Sequence, residues 1–218
     1  MVYASYSRGF KSGVFPTAAV ATDAPAVDPE KIDAYEIGLK SQLFDNRIRF
    51  NLDGFYYDYR KIQFSVYNGA SNLLLNAAAA KIYGLDADIS ASVTDGLTIS
   101  SSMEYLHTRY KDFFNAPISI PAPIGNVILA CDPNDPSICD ASGNELIKAP
   151  KFVANVAVDY STEIGNAGKI EANVNYYYNS GFFWAPDNRV RQKAYNTVNA
   201  TLSWVSPDEH LRISLWAK

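Results

Sequence analysis

The sequence predicts an all-β fold: a transmembrane antiparallel β-barrel meander, incomplete, with about nine strands of a larger barrel. Three observations carry that expectation. Apolar and polar residues alternate with period two, the polar side bears full charges on strand after strand, and the connections are by turns very short and very long. From Arg47 to Tyr56, the residues Ile48, Phe50, Leu52 and Tyr56 fall on one side of an extended chain and Arg47, Arg49, Asn51 and Asp53 on the other. Period two is the signature of a strand. A soluble sandwich would have to bury the apolar side against a second sheet, whereas a barrel in a bilayer needs none.

The elements follow in order. Val2 to Phe10 opens as a strand, and Glu36 and Lys40 mark the polar side of the next. After Arg47 to Tyr59 comes Tyr83 to Val93, where Tyr83, Leu85, Ala87, Ile89, Ala91 and Val93 alternate with Gly84, Asp86, Asp88, Ser90 and Ser92. Leu97, Ile99, Met103 and Tyr105 alternate with Thr98, Ser100, Ser102 and Glu104, and Ile170, Ala172, Val174, Tyr176 and Tyr178 with Glu171, Asn173, Asn175 and Asn179. Leu211, Ile213, Leu215 and Ala217 close the series. A tilted strand crosses the hydrocarbon layer in about nine to eleven residues, and these segments are that long. Parity therefore expects Ile48, Phe50, Leu52, Leu85, Ile89, Ile99, Met103, Ile170 and Val174 to face lipid. It expects Arg47, Arg49, Asp53, Asp86, Asp88, Glu104 and Glu171 to face a lumen.

Outer-membrane barrels have tight turns at one rim and long external loops at the other. The short links here are Asp45-Asn46, Thr94-Asp95-Gly96, Gly165-Asn166-Ala167-Gly168 and Ser206-Pro207-Asp208-Glu209, all rich in turn residues. The long ones run over about 11–31, 66–80, 111–149 and 181–193, and a connection as long as the third argues against a compact soluble domain.

Aromatics make up 13% of the chain, with fifteen tyrosines, and they cluster near strand ends as interfacial girdles do, though aromatics also favour strands in general. No stretch approaches the length of a transmembrane helix. Mean hydropathy of -0.13 is what alternate residues facing a wet lumen produce. A net charge of -4 leaves no basic footprint for nucleic acid. With no basic and apolar leader ahead of Val2, alternation running on to Lys218 and an odd strand number, the reading expects an internal fragment of a larger barrel.

Several stretches then carry a specific resemblance. Val2-Tyr-Ala-Ser-Tyr-Ser-Arg-Gly-Phe-Lys-Ser-Gly-Val-Phe15 resembles the strand and loop of TonB-dependent outer-membrane receptors that reads Tyr-x-x-Tyr-x-x-Gly-Phe-Lys-x-Gly-Gly-Phe, with Val14 in place of the second glycine. Pro29-Glu-Lys-Ile-Asp-Ala-Tyr-Glu-Ile-Gly-Leu-Lys40 is similar to that family's Pro-Glu-x-x-x-x-Tyr-Glu-x-Gly-x-Lys, and Asn51 to Tyr59 to the strand that follows. Asn76 to Asp86, Lys148 to Phe152 and Ile213 to Lys218 continue the match in order. The resemblance implies a roughly twenty-two-stranded barrel filled by a plug domain, with residues 1–218 as part of the barrel's C-terminal half and the plug domain absent from them. It also implies location in the cell outer membrane, contact with outer-membrane lipid, an extracellular ligand such as a ferric siderophore, and a periplasmic energy-coupling protein that engages an N-terminal part outside this chain. A passive outer-membrane porin or structural barrel is the alternative that alternation alone would allow.

Candidate site residues are few. Cys131 and Cys139 are the only cysteines, close together in the longest loop, and an oxidising compartment favours a local disulfide. Asp132, Asn134, Asp135 and Asp140 offer oxygens nearby, but their spacing fails the EF-hand pattern, so no metal is expected, and no cofactor. His107 and His210 stand apart as rim or turn residues. His107 has the opposite parity to Ser102 and Glu104, so no catalytic triad forms and the chain is not expected to be an enzyme. Phe15, Tyr67, Tyr110, Phe182, Phe183 and Trp184 stand in or beside the long loops, where an external ligand would first meet the receptor. For Tyr110, Phe182 and Trp184, anchoring the upper membrane interface is an equal reading.

Overall fold

Alternation of this kind builds long paired strands, and the computed structural model has them. It describes residues 1–15, 26–67, 72–76, 79–114, 116–121, 126–129 and 139–218. In chain order the strands begin with β1 (Val2–Lys11), β2 (Glu30–Leu43), β3 (Ile48–Arg60), β4 (Gln63–Tyr67) and β5 (Asn72–Asn76). There follow β6 (Ala79–Thr94), β7 (Leu97–Asp112), β8 (Ile118–Pro121), β9 (Asn126–Leu129) and β10 (Phe152–Glu163). The last are β11 (Lys169–Asn179), β12 (Phe182–Phe183), β13 (Arg191–Gln192), β14 (Tyr195–Val205) and β15 (Arg212–Ala217). A short 3₁₀ turn spans Gly165–Ala167.

Nine of these strands form one antiparallel sheet in the order β1-β2-β3-β6-β7-β10-β11-β14-β15, with β1 and β15 as its open edges. The wall is thus the expected meander, each strand paired with its neighbour along the chain. The other six strands are a finding the alternation does not reveal. They form three separate hairpins, β4-β5, β8-β9 and β12-β13, one inside each of three long connections. The remaining long connection carries the bridge Val14 to Val27. The long links are therefore built structures at one rim and not plain loops. Their strands are only two to five residues long, too short for period two to stand out from chance. Lys61, at φ 53°, breaks β3 from β4 and turns the chain into the first hairpin.

Cross-strand register fixes the two faces of the wall. Ile37, Gly54, Leu85, Tyr105 and Phe152 lie directly opposite one another across five strands, as do Leu39, Leu52, Ala87, Met103 and Ala154. Large apolar side chains on this face are open, Ile37 at 62% and Leu85 at 52%. The other face holds the rows Asp53, Asp86, Glu104 and Asn51, Asp88, Ser102, Asn155. These polar residues line the concavities of the sheet, so the charged face is the inner one and the expected parity holds. Gly38 sits on that inner wall beneath the ring of Tyr3, where a Cβ would come within 2.6 Å of the ring. Its lack of a side chain lets Tyr3 reach Asp53 with its hydroxyl.

At the opposite rim the turns are tight. Phe44, Asp45 and Asn46 between β2 and β3 all take positive φ, from 52° to 67°, a conformation that Asp and Asn tolerate better than Phe. Trp204, near the end of β14, donates its indole N–H to the carbonyl of Ala167 at 2.8 Å and ties that strand to the β10–β11 turn.

Candidate functional site

Most of the buried side chains lie at the long rim. Strands β6 and β7 run 16 residues each, more than the roughly nine to eleven that cross a bilayer. Their ends therefore project past the membrane, and a small hydrophobic core forms on them from Ala80, Tyr110, Phe113, Ala116 and Ala141, flanked by Tyr59, Ile62, Phe64 and Leu146. Phe113 meets Tyr110 at 4.9 Å and Phe64 at 5.6 Å, both edge-on, the arrangement aromatic quadrupoles favour. Backbone bonds stitch the returning chain along the end of β7: Ala141 N to Phe113 O at 2.9 Å, Tyr110 N to Asn144 O at 2.9 Å and Gly143 N to Tyr110 O at 2.8 Å. Leu146 N donates to Thr108 Oγ1 at 3.0 Å.

A second layer joins this loop to the one after β11. Asn188 takes a hydrogen bond from Glu145 N at 2.8 Å and returns one to Glu145 O at 3.0 Å. Asn144 Nδ2 donates to Pro186 O at 2.9 Å, and Ile147 bridges Phe183 in parallel. Lys148 N donates to Phe183 O at 2.8 Å. Two cations are thereby laid on aromatic faces: Lys148 Nζ lies 5.5 Å from the Trp184 ring centre, and Arg191 lies 5.6 Å from that of Phe183. Phe182 packs edge-on to Trp184 at 4.9 Å. Such a surface offers ring area and positive charge together, which suits an anionic ligand with flat groups.

The structure separates the six aromatics that the sequence groups. Trp184 is 47% exposed, with Phe182 and Phe183 half-buried beside it. Phe15 is 74% exposed in a different long connection. Tyr110 is 4% exposed and packs into the rim core, which withdraws it from external contact and from the lipid interface alike. Tyr67 lies in the β4-β5 hairpin, and its side chain lies outside the described residues. Lys148, Arg191, Asn188 and Glu145 are the partners that sequence reasoning missed, since only the fold brings their two loops together.

Cys139 is buried and takes part in a disulfide; Cys131 lies outside the described residues, as do Asp132, Asn134 and Asp135. Asp140 receives the Ser142 N–H at 2.8 Å. Bonds from the Ser142 side chain and backbone hold its carboxyl below the ordinary carboxylate range. His107 stacks on Tyr83 at 4.7 Å on the outer face, and Ser102 on the inner face bonds to Asp88, so the two do not meet. Inner-wall charges pair locally, Glu171 with Lys169 at 2.9 Å and with Arg212 at 2.5 Å, and Arg47 with Asp95 at 3.7 Å.

An open nine-stranded antiparallel wall with a built long rim is the architecture of part of a large β-barrel. A family model described as TonB dependent receptor-like, β-barrel, matches residues 1–218, and the chain belongs to that family, one of transporters rather than enzymes. The fold is similar to the ferric yersiniabactin uptake receptor of Yersinia pestis, with a TM-score of 0.74, 19% identity and 99% of this chain covered against 29% of that one. It is also similar to a siderophore receptor of Acinetobacter baumannii (TM-score 0.70, 15% identity, 99% and 28% covered). The ferric preacinetobactin receptor of the same organism follows (TM-score 0.66, 14% identity, 99% and 28% covered). The chain spans under a third of the length of these receptors.

Proposed function

We propose that this chain supplies part of the wall and the external rim of an outer-membrane receptor that takes up a scarce metal chelate, such as a ferric siderophore, by an energised route. In this reading a plug domain and a contact with a periplasmic energy-coupling protein are supplied from outside these 218 residues. The observation that carries the reading is the rim itself, where two interlocked loops hold Trp184 and Phe183 under Lys148 and Arg191. Family membership and likeness to receptors for iron chelates support the same direction. In this reading Phe15, Tyr67, Phe182, Phe183 and Trp184 contribute to ligand capture, and a Cys131–Cys139 disulfide closes the tip of the longest loop. The test is uptake of labelled ferric siderophores by cells that carry the full-length receptor. Collapse of the proton gradient is expected to abolish uptake while surface binding persists. Uptake that continues unchanged would instead mark a passive barrel.

A further inference from the structure

The outer face of the wall carries a basic belt that neither transport nor the lumen uses. Register places Tyr6, Tyr35, Tyr56, Tyr83 and His107 directly opposite one another in one row across β1, β2, β3, β6 and β7. Their rings contact, Tyr6 to Tyr35 at 5.1 Å and Tyr83 to His107 at 4.7 Å. Such a row marks the membrane interface. Two residues nearer the long rim, about 6.6 to 6.8 Å along each strand, comes the row Arg8, Asp33, Asp58, Lys81, Arg109. Lys31 and Arg60 stand opposite each other one step further out, and Lys111 joins them at the bulge in β7. The belt thus has six cations against three carboxylates, Asp33, Asp58 and, opposite Ala79 one step further out, Asp112, in a chain whose net charge is -4.

Like charges directly opposite in a sheet repel, and the belt treats its two such pairs in this row differently. Asp33 and Asp58 are bridged by Arg60, which meets Asp58 at 2.6 Å and Asp33 at 3.5 Å. Arg8 at 2.6 Å from Asp33 and Lys111 at 3.1 Å from Asp58 complete their neutralisation. Both carboxylates are consumed. Lys81 and Arg109 have no such counter-ion: among the described residues neither forms an ion pair, and Arg109 only donates to Gly143 O at 2.6 Å. Lys31 likewise forms no ion pair among the described residues.

We infer that Lys81 and Arg109, cross-strand neighbours on β6 and β7, bind the phosphate of a phosphorylated outer-leaflet lipid headgroup. A phosphate between Lys81 and Arg109 supplies the bridging charge that Arg60 supplies to the aspartates. Its acyl chains then lie down the apolar face past the tyrosine row. The site rests on the barrel's orientation in the membrane and not on its cargo, so failure of siderophore uptake would leave it standing.

The experiment uses the full-length receptor in detergent, titrated with bisphosphorylated lipid A and with the same lipid dephosphorylated, with bound lipid counted by native mass spectrometry. Wild type is expected to hold the phosphorylated form about tenfold or more tighter, and K81Q/R109Q to lose most of that preference, since each surface cation contributes measurably to anionic lipid binding. Inner-wall R49Q leaves the preference intact. Equal binding of the two lipids by wild type, loss in R49Q as large as in K81Q/R109Q, or displacement of the lipid by millimolar inorganic phosphate would each overturn the inference.

Discussion

The wall and the rim of this chain are stabilised in opposite ways. Along the wall, Ile37, Leu85, Met103 and Val174 stay open and the strands are joined by their backbone ladder, because lipid covers the apolar face and nothing need pack behind it. At the rim, water replaces lipid, and the chain has to make its own interior. Phe113, Tyr110, Ala116 and Ala141 are buried there, with paired loops and reciprocal side-chain bonds holding the returning chain. Burial in this molecule therefore reports where the solvent changes. The rim is the part whose shape is set by side chains, and so the part that can be tuned to a ligand without disturbing the wall.

The largest expected effect strikes the rim. Phe113→Ala empties the centre of its core and should cost about 3 to 5 kcal/mol of local stability, seen as faster hydrogen exchange and proteolysis around 139–148 in the full-length receptor. Heat resistance of the barrel stays as it was; a parallel fall would dissolve the distinction between the two regions. Next comes the wall. Leu85→Arg near the midplane should destabilise the barrel by about 2 to 4 kcal/mol in lipid vesicles, while Asp88→Arg on the inner face costs less. Equal losses in urea unfolding would mean that the facing is wrong.

A smaller effect sharpens the link between the loops. Asn188 sits at φ 55°, so Asn188→Gly removes the two bonds to Glu145 without backbone strain. It should cost about 1 to 3 kcal/mol, read as hydrogen exchange confined to 144–148 and 183–190. The smallest concerns acid. Because the folded rim holds the Asp140 carboxyl below its ordinary 3.8, its contribution is full at neutral pH and fades as the pH falls below that value. Asp140→Asn should abolish this pH dependence of exchange at Ser142 and leave the wall unaffected.

The wall was legible in the sequence because parity is a local property: Leu85 and Asp86 declare opposite faces by adjacency alone. The same count puts Arg8, Lys81 and Arg109 on the lipid side, although charge in a barrel strand first suggests the lumen. The rim was not legible. Its hairpins are as short as Phe182–Phe183 against Arg191–Gln192, and its contacts join residues more than forty apart, such as Asn188 and Glu145. Nothing local distinguishes Tyr110, which is buried, from Trp184, which is open; the difference lies in which loop folds over which strand end.

The claim that the rim captures ligand while the wall only carries it is tested most directly by replacing Phe183 and Trp184 with alanine in the full-length receptor. Ferric siderophore binding to cells and heat resistance of the barrel would be measured on the same preparations. Weakened binding with unchanged heat resistance is the predicted result. Unchanged binding with lowered heat resistance would contradict it and leave these two rings as anchors of the wall.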